Sequence, residues 1–207
     1  MTKIISFDTE TPYSSDFTVQ TLGIHKYAWD SRCDCYLISV CDGDTTWAGH
    51  PKDYDFSLLN GAIVLSHNAA FDQEIALAKI AQGAWPKFEP AEWHCTANMS
   101  SYLCNRRSLA EASLFLLDVK VSKGMRDWMK GRTWEDAVRE GKAEELLQYA
   151  RDDAHLCREL WVRHGHRWPE WERRLSRLTI EQGRRGVHIH QDRLQNGINL
   201  LQRVILQ

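Results

Sequence analysis

The alternation of apolar and polar positions divides the chain into a strand-rich first half and a helical second half. Lys3 to Phe7 is a short β-branched and apolar run ending at Asp8, the pattern of a buried strand. Three more strands are expected at Gly23–Trp29, Cys35–Cys41 and Thr45–Trp47, separated by the turn residues Asp30-Ser31 and Asp42-Gly43-Asp44. Ala62 to Ser66 reads as another buried strand, leading directly into a helix over Ala69–Gln82. Beyond it, apolar residues recur at helical spacing in Thr96–Leu103, Ser108–Leu117, Thr133–Glu140 and Ala143–Val162. The last carries a broad apolar face of Leu146, Leu147, Ala150, Ala154, Cys157, Leu160 and Trp161. Ser108 and Glu111 have capping-box spacing. Asp118 to Arg132, with two glycines and alternating charge, reads as a mobile loop. From Pro169 onward the pattern changes to a basic amphipathic helix at Trp171–Gln182, a break at Gly183–Gly186 and helical spacing over Gln191–Leu206. The expectation is an α/β domain over residues 1–168, a mixed sheet flanked by helices, with a helical extension at 169–207. The chain ends inside an apolar helix, as though more had once followed.

Composition narrows the class. The 207 residues are 43% hydrophobic and 26% charged, ordinary for a soluble domain that needs no staple to hold its core. No apolar stretch approaches the roughly 20 residues that span a bilayer, and the first ten positions already contain Asp8 and Glu10, which is not a secretory pattern. A cytoplasmic monomer without membrane attachment is expected. The six cysteines form no Cys-x-x-Cys pair and complete no zinc ligand set, so all are expected to be reduced and structural.

Net charge is only −2, but its distribution is uneven. Residues 1–72 hold four basic and ten acidic side chains, a balance of −6, whereas 105–132 and 163–193 each stand at +4. An acidic pocket for cations, flanked by basic segments for phosphates, fits that asymmetry.

Three short segments carry the chemistry. In Phe7-Asp8-Thr9-Glu10-Thr11, at the end of the first strand, Asp8 and Glu10 are i and i+2 and face the same side. In His67-Asn68-Ala69-Ala70-Phe71-Asp72, a strand turns into a helix, and Asn68 and Asp72 are i and i+4 neighbours. In Tyr149-Ala150-Arg151-Asp152-Asp153, the i, i+4 relation joins Tyr149 to Asp153 and leaves Asp152 rotated away. Each segment has an ordinary structural explanation on its own: a solvated turn, a helix N-terminal acid, a boundary tyrosine, a satisfied core histidine at His67. Together they offer Asp8, Glu10, Asp72 and Asp153, four hard oxygen donors suited to a pair of Mg²⁺ or Mn²⁺ ions.

These segments resemble the Exo I, Exo II and Exo III motifs of the DEDD exonucleases. The third is of the tyrosine type, because Gln148 stands where the histidine type would need His. The resemblance extends over most of the chain and is closest to the proofreading domains of bacteriophage family A DNA polymerases. Thr21–Ala28 is similar to their second strand, Trp93–Thr96 to the segment before their next helix, and Gln182–Leu194 to the entry into a polymerase region. It implies an RNase H-like sheet with Asp8, Glu10, Asp72 and Asp153 as metal ligands and Tyr149 orienting the attacking water. It further implies that Thr11 and Asn68 contact the terminal nucleotide, that Leu22 separates the last bases, and that Arg106 meets a phosphate. The implied reaction is 3′→5′ hydrolysis of single-stranded DNA to nucleoside 5′-monophosphates, alone or beside a polymerase. RNA trimming and a noncatalytic binding module are the alternatives. From the residues themselves, Lys123, Arg126, Trp128, Lys130 and Arg132 combine cations and a flat ring in one segment, as a single-strand guide requires.

Overall fold

The computed structural model describes residues 2–122 and 124–205. Its centre is a five-stranded sheet in the order β3-β2-β1-β4-β5. The strands are β1 (Ile4–Glu10), β2 (Leu37–Cys41), β3 (Thr46–Gly49), β4 (Ile63–Ser66) and β5 (Glu92–Cys95). β1 pairs antiparallel with β2, and β2 with β3, as short connections allow. β4 runs parallel to β1, and β5 parallel to β4. The helices between them are α1 (Val19–Leu22), α2 (Ile24–Trp29) and α3 (Ala69–Ala81). After the sheet come α4 (Thr96–Cys104), α5 (Leu109–Leu117), α6 (Gly124–Trp128), α7 (Trp134–Arg139), α8 (Ala143–His164), α9 (Glu170–Arg185) and α10 (Gln191–Ile205).

The period-2 alternation of β1 assigns its two faces to two layers. Ile5 and Phe7 join Val64, Ile75 and Ala78 in the core beneath α3. On the other face, α8 crosses the sheet with Ala150 and Ala154 fully buried, small residues that let helix and strand approach closely. Leu146 and Leu160 anchor that helix in the cores on either side. Two hydroxyls tie these layers together. Ser6 Oγ donates to the Ala154 carbonyl at 2.6 Å, and Ser66 Oγ to the Phe7 carbonyl at 2.6 Å. Ser6 interrupts an apolar strand and Ser66 ends one, so each bond fastens a neighbouring element to β1 beside its acidic end.

Several expectations need correction. Gly23–Trp29 is helical. Thr18 and Thr21 make a reciprocal capping box, Gly23 takes a φ of 77°, and the buried residues Tyr27 and Ala28 follow Ile24 at i+3 and i+4. The similarity to a polymerase second strand therefore fails here. The segment Asp118–Arg132 is not all loop, since α6 packs Met125, with Met129 just beyond it, into the core under α8. Glu92–Cys95 is a strand absent from the expected set, too short for its alternation to stand out. Gly183 does not break its helix; α9 runs to Arg185 and stops at Gly186, whose φ is 67°.

The extension behaves as two different pieces. α9 lies on β5 and α3, with Ser176 buried and Ile180 against Ala69, Cys95 and Ala97. Every described residue of α10 is exposed. No described helix is long and apolar enough to cross a membrane. The six cysteines are free, five of them buried, as expected.

Candidate active site

The acids converge where β1 ends. Asp8 and Glu10 share the face of Ser6, so they point toward α8, where the Ser6–Ala154 bond fixes the position next to Asp153. Oxygen atoms of Asp8, Glu10 and Asp153 all lie within 4.8 Å of one another. Tyr149, one helical turn before Asp153, lines the same cleft as that carboxylate, close enough for the two to shift each other's titration.

Asp72 reaches the same strand end from the opposite layer, and it is held differently. Its Oδ1 accepts the Thr9 amide at 3.1 Å and the Thr9 hydroxyl at 2.8 Å. It lies outside the tight trio, yet close enough that its charge is the largest neighbouring influence on Asp8.

Burial dominates the electrostatics. Asp8 is held far above the usual carboxylate range by burial, then by Asp72, Glu10 and Asp153. Glu10 is pushed up to about 8 by burial and the same neighbours, against a lowering from Arg126. Asp72 rises to about 7 and Asp153 to about 6, each through burial, restrained by the Thr9 hydrogen bonds and by Tyr149 respectively. Four desolvated acids this close cannot all ionise without a compensating positive charge. The donor set is all carboxylate, crowded and hard, which suits divalent cations that prefer oxygen. Tyr149 is shifted upward by burial and by the Glu10 and Asp153 charges, so its phenol stays protonated at neutral pH.

A cleft of about 560 Å³ opens over the acids, lined by Asp8, Asn68, Arg107, Arg126, Tyr149 and Asp153 among others. It lies at the carboxyl ends of the parallel strands, where open α/β sheets generally bind ligands. Asn68 caps α3 in the left-handed region, with φ 93°, and Arg107 Nη2 donates to its Oδ1 at 3.3 Å. Arg126 reaches the cleft because α6 folds onto α8.

Other expected contacts stand elsewhere. Arg107, not Arg106, lines the cleft; Arg106 is exposed, and among the described residues its side chain bonds only to the neighbouring Asn105 carbonyl. Thr11 is buried with its hydroxyl 2.7 Å from the Tyr27 hydroxyl, so an internal partner occupies it. Leu22 ends α1 and packs against the α3-side core. Trp128 packs into the core under α8, with Arg132 and Lys142 over its ring. Lys123 lies outside the described residues. The staples Ser6 and Ser66 have only a faint signal in the sequence, a lone serine inside one apolar strand and at the end of another.

No family model matches the sequence, and no curated protein is significantly similar to it. Solved structures do resemble it. Brucella melitensis NrnC with bound Mg²⁺ superposes with a TM-score of 0.55 at 19% identity, over 89% of this chain and 85% of that one. The apo form of a nuclease gives 0.53 at 20% identity, over 88% and 83%. Escherichia coli RNase D, an exoribonuclease involved in structured RNA processing, gives 0.56 at 16% identity, over 90% of this chain but 46% of that one. The chain has the RNase H-like fold, a mixed five-stranded sheet flanked by helices. At these identities the likeness establishes architecture, and the chemistry rests on the residues.

Proposed function

We propose that the protein is a divalent-metal-dependent 3′→5′ exonuclease that releases nucleoside 5′-monophosphates from single-stranded nucleic acid. The observation that carries this reading is the meeting of Asp8, Glu10 and Asp153 within 4.8 Å, with Asp8 and Asp153 lining an open cleft. Asp8, Glu10 and Asp153 would hold one cation, and Asp72 with Asp8 a second. Such ions supply an acidified attacking water and charge compensation for the departing 3′ oxygen. The polarity rests on the resemblance to the DEDD motifs.

The chain's own groups have separable roles. The protonated Tyr149 cannot serve as a general base; it donates, offering its hydroxyl to orient water beside Asp153. Arg107 and Arg126 bring cations to the cleft, where they would meet the scissile phosphate and its neighbour. Asn68 would face the terminal nucleotide beside them.

Single-stranded DNA is the substrate by similarity to the polymerase proofreading motifs. A second reading, RNA, is favoured by the likeness to RNase D. One experiment addresses class, polarity and sugar together. DNA and RNA oligonucleotides labelled at the 3′ or 5′ end are incubated with Mg²⁺, with Mn²⁺ or with EDTA, beside Asp8→Ala. Immediate release of the 3′ label and stepwise shortening of the 5′-labelled strand, both needing metal and Asp8, support the proposal, and the faster polymer names the sugar. Ends left intact at every metal concentration would reject it.

A further inference from the structure

We propose that His67 is a positioning residue that holds Arg107 over the cleft and thereby sets how strongly the protein grips a backbone phosphate. The inference rests on the nuclease reading but concerns a residue that does not touch the acids. His67 sits in the turn between β4 and α3, preceded by Ser66, which is stapled to β1, and followed by the left-handed Asn68. Its Nε2 lies 2.8 Å from the Arg107 carbonyl and its Nδ1 3.0 Å from the Thr96 hydroxyl.

The chemistry of these partners fixes the proton. A carbonyl only accepts, so Nε2 carries the hydrogen and donates to Arg107. Nδ1 then accepts from Thr96 at 3.0 Å, a shorter contact than the 3.4 Å from that hydroxyl to the Ser66 carbonyl, and the Thr96 oxygen, 3.3 Å from the Cys157 Sγ, accepts the thiol hydrogen in turn. The chain Cys157, Thr96, His67, Arg107 thus joins α8, the start of α4, the β4–α3 turn and the α4–α5 connection, with one hydrogen per link. Burial keeps the imidazole neutral by lowering its pKa to about 4, as this arrangement needs.

Arg107 lies outside any helix, in the short connection between α4 and α5. His67 holds its backbone, while two amide oxygens hold its head. Nη1 donates to Asn98 Oδ1 at 2.6 Å and Nη2 to Asn68 Oδ1 at 3.3 Å. Asn98 is steadied in turn by its Nδ2, which donates to Ser176 Oγ on α9 at 2.7 Å. Among the described residues no carboxylate pairs with this guanidinium. A cation fixed by neutral acceptors keeps its charge and several N–H groups for an incoming phosphate. Without the imidazole, the connection loses its tie to the sheet edge and the guanidinium its register.

The test measures binding of a single-stranded oligonucleotide against salt in EDTA, and KM and kcat with Mg²⁺, for wild type, His67→Leu, His67→Gln and Arg107→Ala. Losing one phosphate contact lowers the log–log salt slope by about 0.7. Arg107→Ala should show that loss and raise KM about tenfold. His67→Leu should reproduce both effects with kcat changed far less, and His67→Gln, which can still donate to the Arg107 carbonyl, should recover most of the binding. In the Arg107→Ala background, His67→Leu should add nothing. If His67→Leu does not fold, His67→Asn, which can reach Thr96 but not the Arg107 carbonyl, takes its place. A folded variant with an unchanged salt slope and KM overturns the inference and leaves the nuclease reading intact. A wild type that neither binds nor trims oligonucleotides overturns the reading first.

Discussion

The floor of the cleft and its rim are built in contrasting ways. The floor consists of Asp8, Glu10, Asp72 and Asp153, carried by a central strand and two helices that the sheet core holds from both sides. Asp72 is buried and the other three are half-buried, and their mutual repulsion is tolerated because hydroxyl staples and alanine contacts fix the backbone beneath them. The rim consists of Arg107 on a connection, its guanidinium held by side-chain hydrogen bonds, and Arg126 on a five-residue helix, both exposed. Rigid frames suit chemistry that tolerates little displacement, and adjustable edges suit a polymer that must advance by one unit per cycle. Damage to the floor should therefore appear in kcat, and damage to the rim in KM and salt dependence.

The largest expected effect tests the floor. Asp8→Asn should lower kcat by on the order of a thousandfold, about 4 kcal/mol of transition-state stabilisation, with substrate binding in EDTA nearly unchanged. Steady-state and single-turnover rates in Mg²⁺ would check this. A variant losing affinity rather than rate would erase the distinction between floor and rim.

Tyr149→Phe should cost about a hundredfold in kcat, near 2.7 kcal/mol, by releasing the attacking water. Because the phenol is shifted upward and stays protonated, the pH–rate profile of the variant should keep the wild-type shape. Loss of a basic limb in that profile would mean that Tyr149 does take a proton.

The third effect is on stability. Glu10 at about 8, Asp72 at about 7 and Asp153 at about 6 hold protons in the folded, metal-free protein that the unfolded chain releases near pH 4. The folded state binds more protons across that window, so metal-free stability should fall as pH rises from 5 to 8, by several kcal/mol. Saturating Mg²⁺ at pH 8 should restore a similar amount. Denaturant titrations in EDTA and in Mg²⁺ at both pH values would show it. A metal-free protein that gains stability over this range would mean the acids ionise freely and are not crowded as described.

The sequence revealed the floor far better than the rim, for a physical reason. Asp8 and Glu10 follow from strand alternation, Tyr149 and Asp153 from helical spacing, and both periods persist because long elements pack against a core. The acid of the α3 first turn, Asp72, was legible in the same way, but its bonds to Thr9 were not, since nothing local links residues so distant in the chain. Short pieces escaped. α2 has the look of a strand because Gly23–Trp29 is brief enough to satisfy either period, and its N-cap Gly23 carries no side chain to announce a helix. α6 escaped because its helical character comes from Met125 packing on α8, a tertiary effect that overrides a glycine-bounded, charged segment. The choice between Arg106 and Arg107 turns on the left-handed Asn105 that precedes them, φ 56°, which no periodicity reports.

The smallest effect concerns Trp128, where rim and core meet. Its composition suggested a ring for stacking bases, but Arg132 and Lys142 lie over it and its remaining surface packs into the core with Met125 and Met129. A ring so engaged contributes by supporting α6, and hence Arg126, rather than by touching the strand. Trp128→Ala should lower stability by about 1–2 kcal/mol, the order expected for a partly buried aromatic, and change oligonucleotide affinity in EDTA by no more than about twofold, well short of losing a stacked base. Thermal unfolding and fluorescence anisotropy on the same preparation separate the two quantities. A tenfold loss of affinity with stability intact would show that the cations swing away to admit a base, and the rim would then have to be regarded as a surface that opens on binding.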